Sequence, residues 1–381
     1  MTIDRRKFIA SSGATLAFAG LPSFGALSNQ PTKGRLAVII LEGGLDGLCS
    51  VQPIGDKHLF DERRSLISEK PLMVNDSFGI NPQLSNFAKM MLQNEAIAVH
   101  ATSMPYTKRS HFEGQNIMES GVTDPFSSST GWLGRSLSIV QTKGRALSLD
   151  MPLILRGYDN VENIYPSDIQ GVDFADQAIV RLLQKVSDPQ SSMSLSLLEN
   201  ALGEGLYAGG PRDARGLAHK AGKAMSAPDG PIAAVVRVPE FDTHASQDVD
   251  SGILASQLGV VDSVFAAFKA GLGEKWKDTI VMTLTEFGRT VRQNGSSGTD
   301  HGYGTVGLIA GGLIGNGKVV ADWPGLSKTK QFQNRDLMAT IDYRSVCAAC
   351  LSATFGMNHE TVASEVFFDK NIPNISEHLF S

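Results

Sequence analysis

The 381-residue chain is 42% hydrophobic and 19% charged, holds 39 glycines and carries a net charge of −5. These values fit one large α/β domain or two ordinary ones, and exclude a disordered or fibrous chain. No basic run or basic–aromatic stripe occurs, which argues against nucleic acid as a partner.

Arg5 and Arg6, followed by Lys7-Phe8-Ile9, precede a mildly apolar, Ser/Gly/Ala-rich stretch over residues 10–21. This pattern predicts a twin-arginine export signal over residues 1–28, with an ordinary basic secretory leader as the alternative. The stretch is too short and too polar for a stable membrane span. The expected destination is the periplasm or the exterior, reached through the twin-arginine translocase. Removing Asp4, Arg5, Arg6 and Lys7 with the signal leaves the remainder near −7. A negative surface does not exclude an anionic substrate, because a bound metal dominates its local field.

Residues 34–41 form a continuous apolar run of the kind buried on both faces of a parallel sheet. The run ends in Glu42-Gly43-Gly44-Leu45-Asp46-Gly47, where Asp46 is either a metal ligand or part of an ordinary Asp-Gly turn. Residues 52–80 read as an irregular excursion, 82–93 as a helix and 96–101 as the next strand. Ser110 then opens a helix, and Glu113 completes an S-x-x-E capping box. The same serine, at a helix N-terminus past a strand, lies in a positive field that lowers a hydroxyl pKa, so it is also a candidate nucleophile. His111 either orients a ligand or sits on the surface. A helix opens at Gly131, and residues 148–155 are expected to return to the sheet. Residues 173–226 read as a helical cover that carries no chemistry.

A strand at 232–238 leads into Asp242-Thr243-His244, a spacing that brings an aspartate and a histidine towards one ion. A long amphipathic helix spans 249–271. The buried strand at 279–285 ends in Glu286-Phe287-Gly288-Arg289, and a Gly/Ser-rich loop closes on Asp300-His301-Gly302 before a strand at 305–310. A strand at 318–322, a long helix at 335–356 and a tail complete the chain. Cys347-Ala-Ala-Cys350 lies within an amphipathic pattern with no second pair elsewhere, so both thiols read as small core residues.

Strand and helix alternate with crossovers long enough for parallel pairing, which predicts a doubly wound α/β sandwich around a central, mostly parallel sheet. Residues 34–381 are expected to form its single domain. Asp46, Ser110, Asp242, His244, Glu286, Arg289, Asp300 and His301 all follow predicted strands or open the helices after them. In open α/β sheets that edge binds ligands. Mixed carboxylates and imidazoles suit Zn²⁺, Mn²⁺ or Fe, and an oxygen-dominated subset suits Ca²⁺ or Mg²⁺, with one or two divalent ions expected.

Asp4-Arg5-Arg6-Lys7-Phe8, the Leu41–Gly47 turn, Arg109-Ser110-His111-Phe112, Gly131-Trp132-Leu133-Gly134-Arg135, Asp242-Thr243-His244, Thr285-Glu286-Phe287-Gly288-Arg289-Thr290 and Thr299-Asp300-His301-Gly302 follow one another in order. This set resembles the twin-arginine-exported bacterial family known as a domain of unknown function, placed with sulfatases in the alkaline phosphatase superfamily. The resemblance implies a phospho- or sulfo-ester site around one or two metals. It makes Asp46 the first-strand ligand, Ser110 the nucleophile, Asp242 and His244 the spaced ligands, and His301 the late histidine. Glu286 stands at the aspartate of the superfamily's Asp-His pair, and Phe287 replaces that histidine, removing a ligand to a second metal. Ser110 lacks the Cys-x-Pro-x-Arg context of formylglycine sulfatases.

The leading expectation is an exported metal-dependent hydrolase of a phosphate, sulfate or related ester, in which Arg289 holds a non-bridging oxygen. The alternative is a non-catalytic binding or assembly protein on the same scaffold. A Ser-His-Asp hydrolase ranks third, since no G-x-S-x-G elbow occurs.

Overall fold

In the computed structural model, residues 34–140, 146–148, 152–163 and 214–380 are described. The expected signal at 1–28 lies outside them, as does the expected helical cover at 173–226 apart from the helix Ala214–Ser226. The strands among the described residues are β1 (Arg35–Leu41), β2 (Val51–Gln52), β3 (Leu72–Met73), β4 (Gly79–Ile80), β5 (Ala96–Ser103), β6 (Ala146–Ser148), β7 (Val161–Asn163), β8 (Ala233–Val238), β9 (Thr279–Thr285), β10 (Thr305–Ala310), β11 (Lys318–Val320) and β12 (Ile341–Asp342). β2, β4 and β3 make a small sheet. The others make one large sheet in the order β11-β5-β10-β9-β1-β8-β6-β7, with β12 also pairing β5.

The apolar runs become the middle of that sheet because both of its faces are covered. Successive strand side chains point to opposite faces. Leu36, Val38 and Ile40 of β1 therefore join one core with Ile280, Met282 and Leu284 of β9. Ala37, Ile39 and Leu41 join the other with Val236 and Leu308. The first core is closed by the helices Trp132–Val140 and Tyr343–Phe355, which contribute Leu133, Leu137, Val346 and Leu351. The second is closed by Ile253–Leu272, Ala214–Ser226 and Ser85–Leu92 through Leu258, Phe265, Met225 and Phe87. Cys347 and Cys350 are buried in the first core as small apolar residues, and burial pushes both thiols up. Ile253–Leu272 lies in the one segment long and apolar enough to cross a membrane among the described residues, and one face of it, with Leu254, Leu258, Val261, Phe265 and Phe268, packs into the core.

The architecture is a mixed α/β sandwich around a mostly parallel sheet. β10 is the exception, pairing antiparallel with both β5 and β9. Three segments depart from expectation. The return to the sheet is made by Ala146–Ser148, which shares only Ser148 with the expected 148–155, and Leu153–Leu155 is a 3-10 turn. The strand at 318–322 stops at Val320. The helix expected from 335 begins at Tyr343, where the Asp342 carboxylate caps it by accepting from Arg344 N at 2.9 Å. Residues 335 and 336 are instead drawn towards the sheet edge described next.

Candidate metal centre

The reversal of β10 gathers the site. β8 and β9 run parallel to β1, so Asp242 and His244 beyond β8 and Glu286 beyond β9 emerge at one edge. β10 runs the other way, so His301, which precedes it, reaches the same edge. His111 arrives from beyond β5, at the start of the helix His111–Ser120. The β9–β10 loop has a narrow neck, with Gly302 N donating to Gly288 O at 2.7 Å and Gly288 N to Tyr303 O at 3.0 Å. A Cβ on Gly302 would stand 2.4 Å from the Arg289 carbonyl carbon, so only glycine permits this approach. Gly114 seats the His111 helix on Glu286, where an added Cβ would lie 3.1 Å from the Glu286 Cβ.

Three side chains meet at this edge: His111, Asp242 and His301 each offer a ligand atom, and these atoms lie within 4.8 Å of one another. His111 Nε2 is 2.9 Å from His301 Nε2, His301 Nε2 is 3.1 Å from Asp242 Oδ1, and His111 Nε2 is 3.4 Å from Asp242 Oδ2. A tetrahedral zinc with bonds of about 2.0–2.1 Å sets neighbouring ligand atoms roughly 3.3 Å apart. His244 flanks the group, its Nε2 3.0 Å from both His301 Nε2 and Asp242 Oδ1.

The second nitrogen of each ring fixes its tautomer. His111 Nδ1 lies 2.9 Å from Glu286 Oε1, His301 Nδ1 lies 2.9 Å from the Arg109 carbonyl, and His244 Nδ1 lies 3.3 Å from Asp300 Oδ1. Carboxylates and carbonyls only accept, so an Nδ1–H on each ring has an acceptor behind it, and in that tautomer the Nε2 of a neutral ring is free to coordinate. With the rings neutral in that tautomer, three Nε2 atoms and a carboxylate face one another. Such a cluster offers a cation a donor set, and backing acceptors of this kind orient histidine ligands in metal sites. The donor set fits a divalent metal.

The protonation tendencies agree. The hydrogen bond to Glu286, with its charge and that of Asp242, raises the His111 pKa against the effect of burial. Burial, helped by the charge of His111, lowers that of His301. The proton thus favours His111 over His301. Burial opposes ionisation of Asp242, but the Arg289 guanidinium outweighs it and holds the carboxyl below its ordinary range.

The remaining predicted residues fall behind or beside this group. Glu286, expected as a ligand, is fully buried: its Oε1 accepts from Gly43 N at 2.9 Å as well as from His111, so it orients a ligand. Arg289, expected to hold a substrate oxygen, has a side chain with no exposure. Its Nη1 donates to Asp242 Oδ1 at 2.7 Å and to the Gly43 carbonyl at 3.1 Å, while Nε donates to Thr299 Oγ1 at 3.1 Å. It is a fixed support for Asp242. Asp46, expected as the first-strand ligand, turns inward instead. It pairs with buried Arg63, and its Oδ2 accepts from Gln247 Nε2 at 2.7 Å. Asp300 backs His244 and is itself held by Asn294 Nδ2 at 3.1 Å, which lowers its pKa.

Ser110 does occupy the helix N-cap, but its hydroxyl makes no capping bond. Tyr106 replaces the expected capping box: its hydroxyl accepts from Ser110 N at 3.0 Å and donates to Glu113 Oε2 at 2.9 Å. Ser110 thus stands with an uncommitted hydroxyl between Arg109, whose carbonyl holds His301, and His111. Phe287 is buried, its ring centroid 5.0 Å from that of His111 and 4.8 Å from that of His301. Arg63, Gln247, Thr299 and Asn294 were not foreseen. Only Thr299, inside the Thr-Asp-His-Gly motif, carried a local signal.

Residues 220–349 match a family model described as a protein of unknown function (DUF1501). No curated protein matches the sequence. Several solved structures are similar in fold. Ps i-CgsB in complex with k-i-k-neocarrahexaose shares 12% identity at a TM-score of 0.44, over 90% of this chain and 75% of its own. The putative sulfatase yidJ from Bacteroides fragilis shares 10% at 0.43, over 94% and 80%. A protein in the alkaline phosphatase superfamily from Vibrio parahaemolyticus shares 13% at 0.38, over 77% and 64%.

Proposed function

We propose that this protein is an exported, metal-dependent hydrolase of a phosphate, sulfate or related ester. The observation that carries the reading is the meeting of His111 Nε2, His301 Nε2 and Asp242, whose ligand atoms all lie within 4.8 Å of one another. The nitrogen-rich set favours Zn²⁺, Mn²⁺ or Fe over Ca²⁺ or Mg²⁺, which prefer oxygen donors. With Phe287 in place of a further histidine, the set holds one ion. When bound, a divalent ion supplies Lewis-acid stabilisation of charge developing on the ester oxygens. The chain's own residues do the positioning: Glu286 and the Arg109 carbonyl aim the imidazoles, and Arg289 holds Asp242 ionised. Ser110, its hydroxyl uncommitted at a helix N-terminus, is the nucleophile in this reading. The paired arginines Arg5 and Arg6 support export by the twin-arginine route.

Metal analysis of the purified full chain, with turnover of phosphate and sulfate esters, tests the proposal. We expect about one ion per chain in the wild type, little in His301→Ala, and a loss of roughly a hundredfold or more in turnover for Ser110→Ala. No bound metal together with equal turnover in wild type and Ser110→Ala would sink it.

A second reading, a non-catalytic binding or assembly protein on the same scaffold, is favoured by Phe287 filling a ligand position. A stoichiometric partner whose binding survives both Asp242→Ala and His301→Ala would select it.

A further inference from the structure

With Arg289 enclosed, the site needs another group to meet an anionic substrate. Arg63, Arg289, Arg109 and Arg335 place guanidinium groups in or behind this edge, while Arg292 pairs with Glu62 and Arg237 with Glu42. Arg63 is enclosed with Asp46, and Arg289 with Asp242 and Thr299. Arg109 commits Nη2 to Asp336 at 2.6 Å and to Gln333 at 2.7 Å, and Nε to Asp336 at 2.9 Å. Arg335 differs. Its Nη2 donates to the carbonyl of His301 at 3.0 Å, its Nε stands 3.8 Å from Asp336 Oδ1, and its side chain is 40% exposed.

This guanidinium is anchored on the backbone of a proposed metal ligand, and its Nη1 has no hydrogen-bond partner among the described residues. It also adjoins the start of the His111–Ser120 helix, since Arg109 and Arg335 share Asp336 and Arg109 immediately precedes the N-cap. That N-terminus has no side-chain cap, so its positive end adds to the same field. Lys108, 72% exposed and 3.8 Å from Glu113, is the other cation nearby, but nothing aims it at the centre. A planar, anchored guanidinium suits a tetrahedral oxyanion, to which it donates two parallel N–H groups.

We propose that Arg335 binds a non-bridging oxygen of the substrate's phosphate or sulfate group, the role the sequence suggested for Arg289. This inference rests on the metal-dependent ester hydrolase reading. The test is calorimetric titration of inorganic phosphate and of sulfate into the metal-loaded full chain, for wild type, Arg335→Gln and Arg335→Lys. Metal content and thermal midpoint are measured on the same samples. We expect one of the two anions to bind the wild type, about tenfold or more weaker binding to Arg335→Gln, and an intermediate value for Arg335→Lys, with metal content unchanged. Equal affinity in all three, or binding of neither anion to the wild type, overturns the proposal. Absence of metal from all three overturns the hydrolase reading instead, and the same anion comparison on metal-free protein still decides Arg335. If Arg335→Gln does not fold, Arg335→Lys decides: anion affinity equal to that of the wild type overturns the proposal, and a several-fold loss supports it.

Discussion

Asp46 and Asp242 both follow a central strand in a turn, and in the sequence they look alike. Their surroundings are opposite. Around Asp46 every acceptor meets a donor: Oδ1 takes Cys49 N at 3.2 Å, and Oδ2 takes Arg63 and Gln247. The group is sealed, and its charge is balanced by Arg63. Around Asp242 one donor, Arg289, enters from behind, while the Nε2 atoms of His301 and His244 stand in front at 3.1 and 3.0 Å. A carboxylate with its partners supplied by the chain holds the fold together. One faced by imidazole nitrogens is placed to share a cation with them. The two clusters are also wired together, because Gln247 Oε1 accepts from Thr299 Oγ1 at 2.6 Å and Thr299 accepts from Arg289.

The largest expected effect breaks the closed cluster. Asp46→Asn leaves the Arg63 charge buried without a counter-ion and should cost about 3–5 kcal/mol in urea unfolding. Added metal should rescue none of that loss. Rescue by zinc or manganese would mean that Asp46 belongs with the ligands and that the contrast is false.

Acid should weaken the closed side next. His100 is buried beside it, with Nε2–H on the Val51 carbonyl at 2.9 Å, and burial lowers its pKa from 6.5 to about 4. The sign follows from which state binds the proton. Between pH 6.5 and 4 the unfolded chain is protonated at His100 and the folded chain is not, so stability is complete above about 6.5 and falls as pH drops towards 4. The depression corresponds to roughly 3 kcal/mol. Urea midpoints of wild type and His100→Gln across this range check it: the difference between the two should shrink with acid, and parallel curves would discard the assignment.

The smallest effect sharpens the open side. Glu286→Gln keeps an acceptor for His111 but removes its charge, and metal affinity should fall about 10–100-fold with the fold intact. An unchanged affinity would remove Glu286 from the support of the site.

Much of the fold was legible because apolar runs of strand length announce buried strands whatever their direction. Direction itself was not legible: the run Val306–Ala310 looks the same in an antiparallel strand as in a parallel one, yet its reversal brings His301 to the edge. In the site, Asp242, His244 and His301 could be read from short motifs. The fate of Asp46 could not, because it is decided by Gln247, distant in sequence, and by Arg63, which lies in a stretch with no periodicity. His111 and Glu286 are placed otherwise than expected for a similar reason: His111 stands in the cluster and Glu286 behind it. Which nitrogen faces inward depends on the acceptor behind the ring, and that acceptor arrives from another strand. Arg289 and Arg335 likewise differ in enclosure, a property of the packed molecule.

Phe287 carries one further consequence. Its buried ring lies against both His111 and His301 and offers no lone pair, so it forms a floor that coordinates no ion. An ion held above it would exchange its remaining partners through a single face. Entry of substrate, departure of product and replacement of water would then share one doorway and take turns in it.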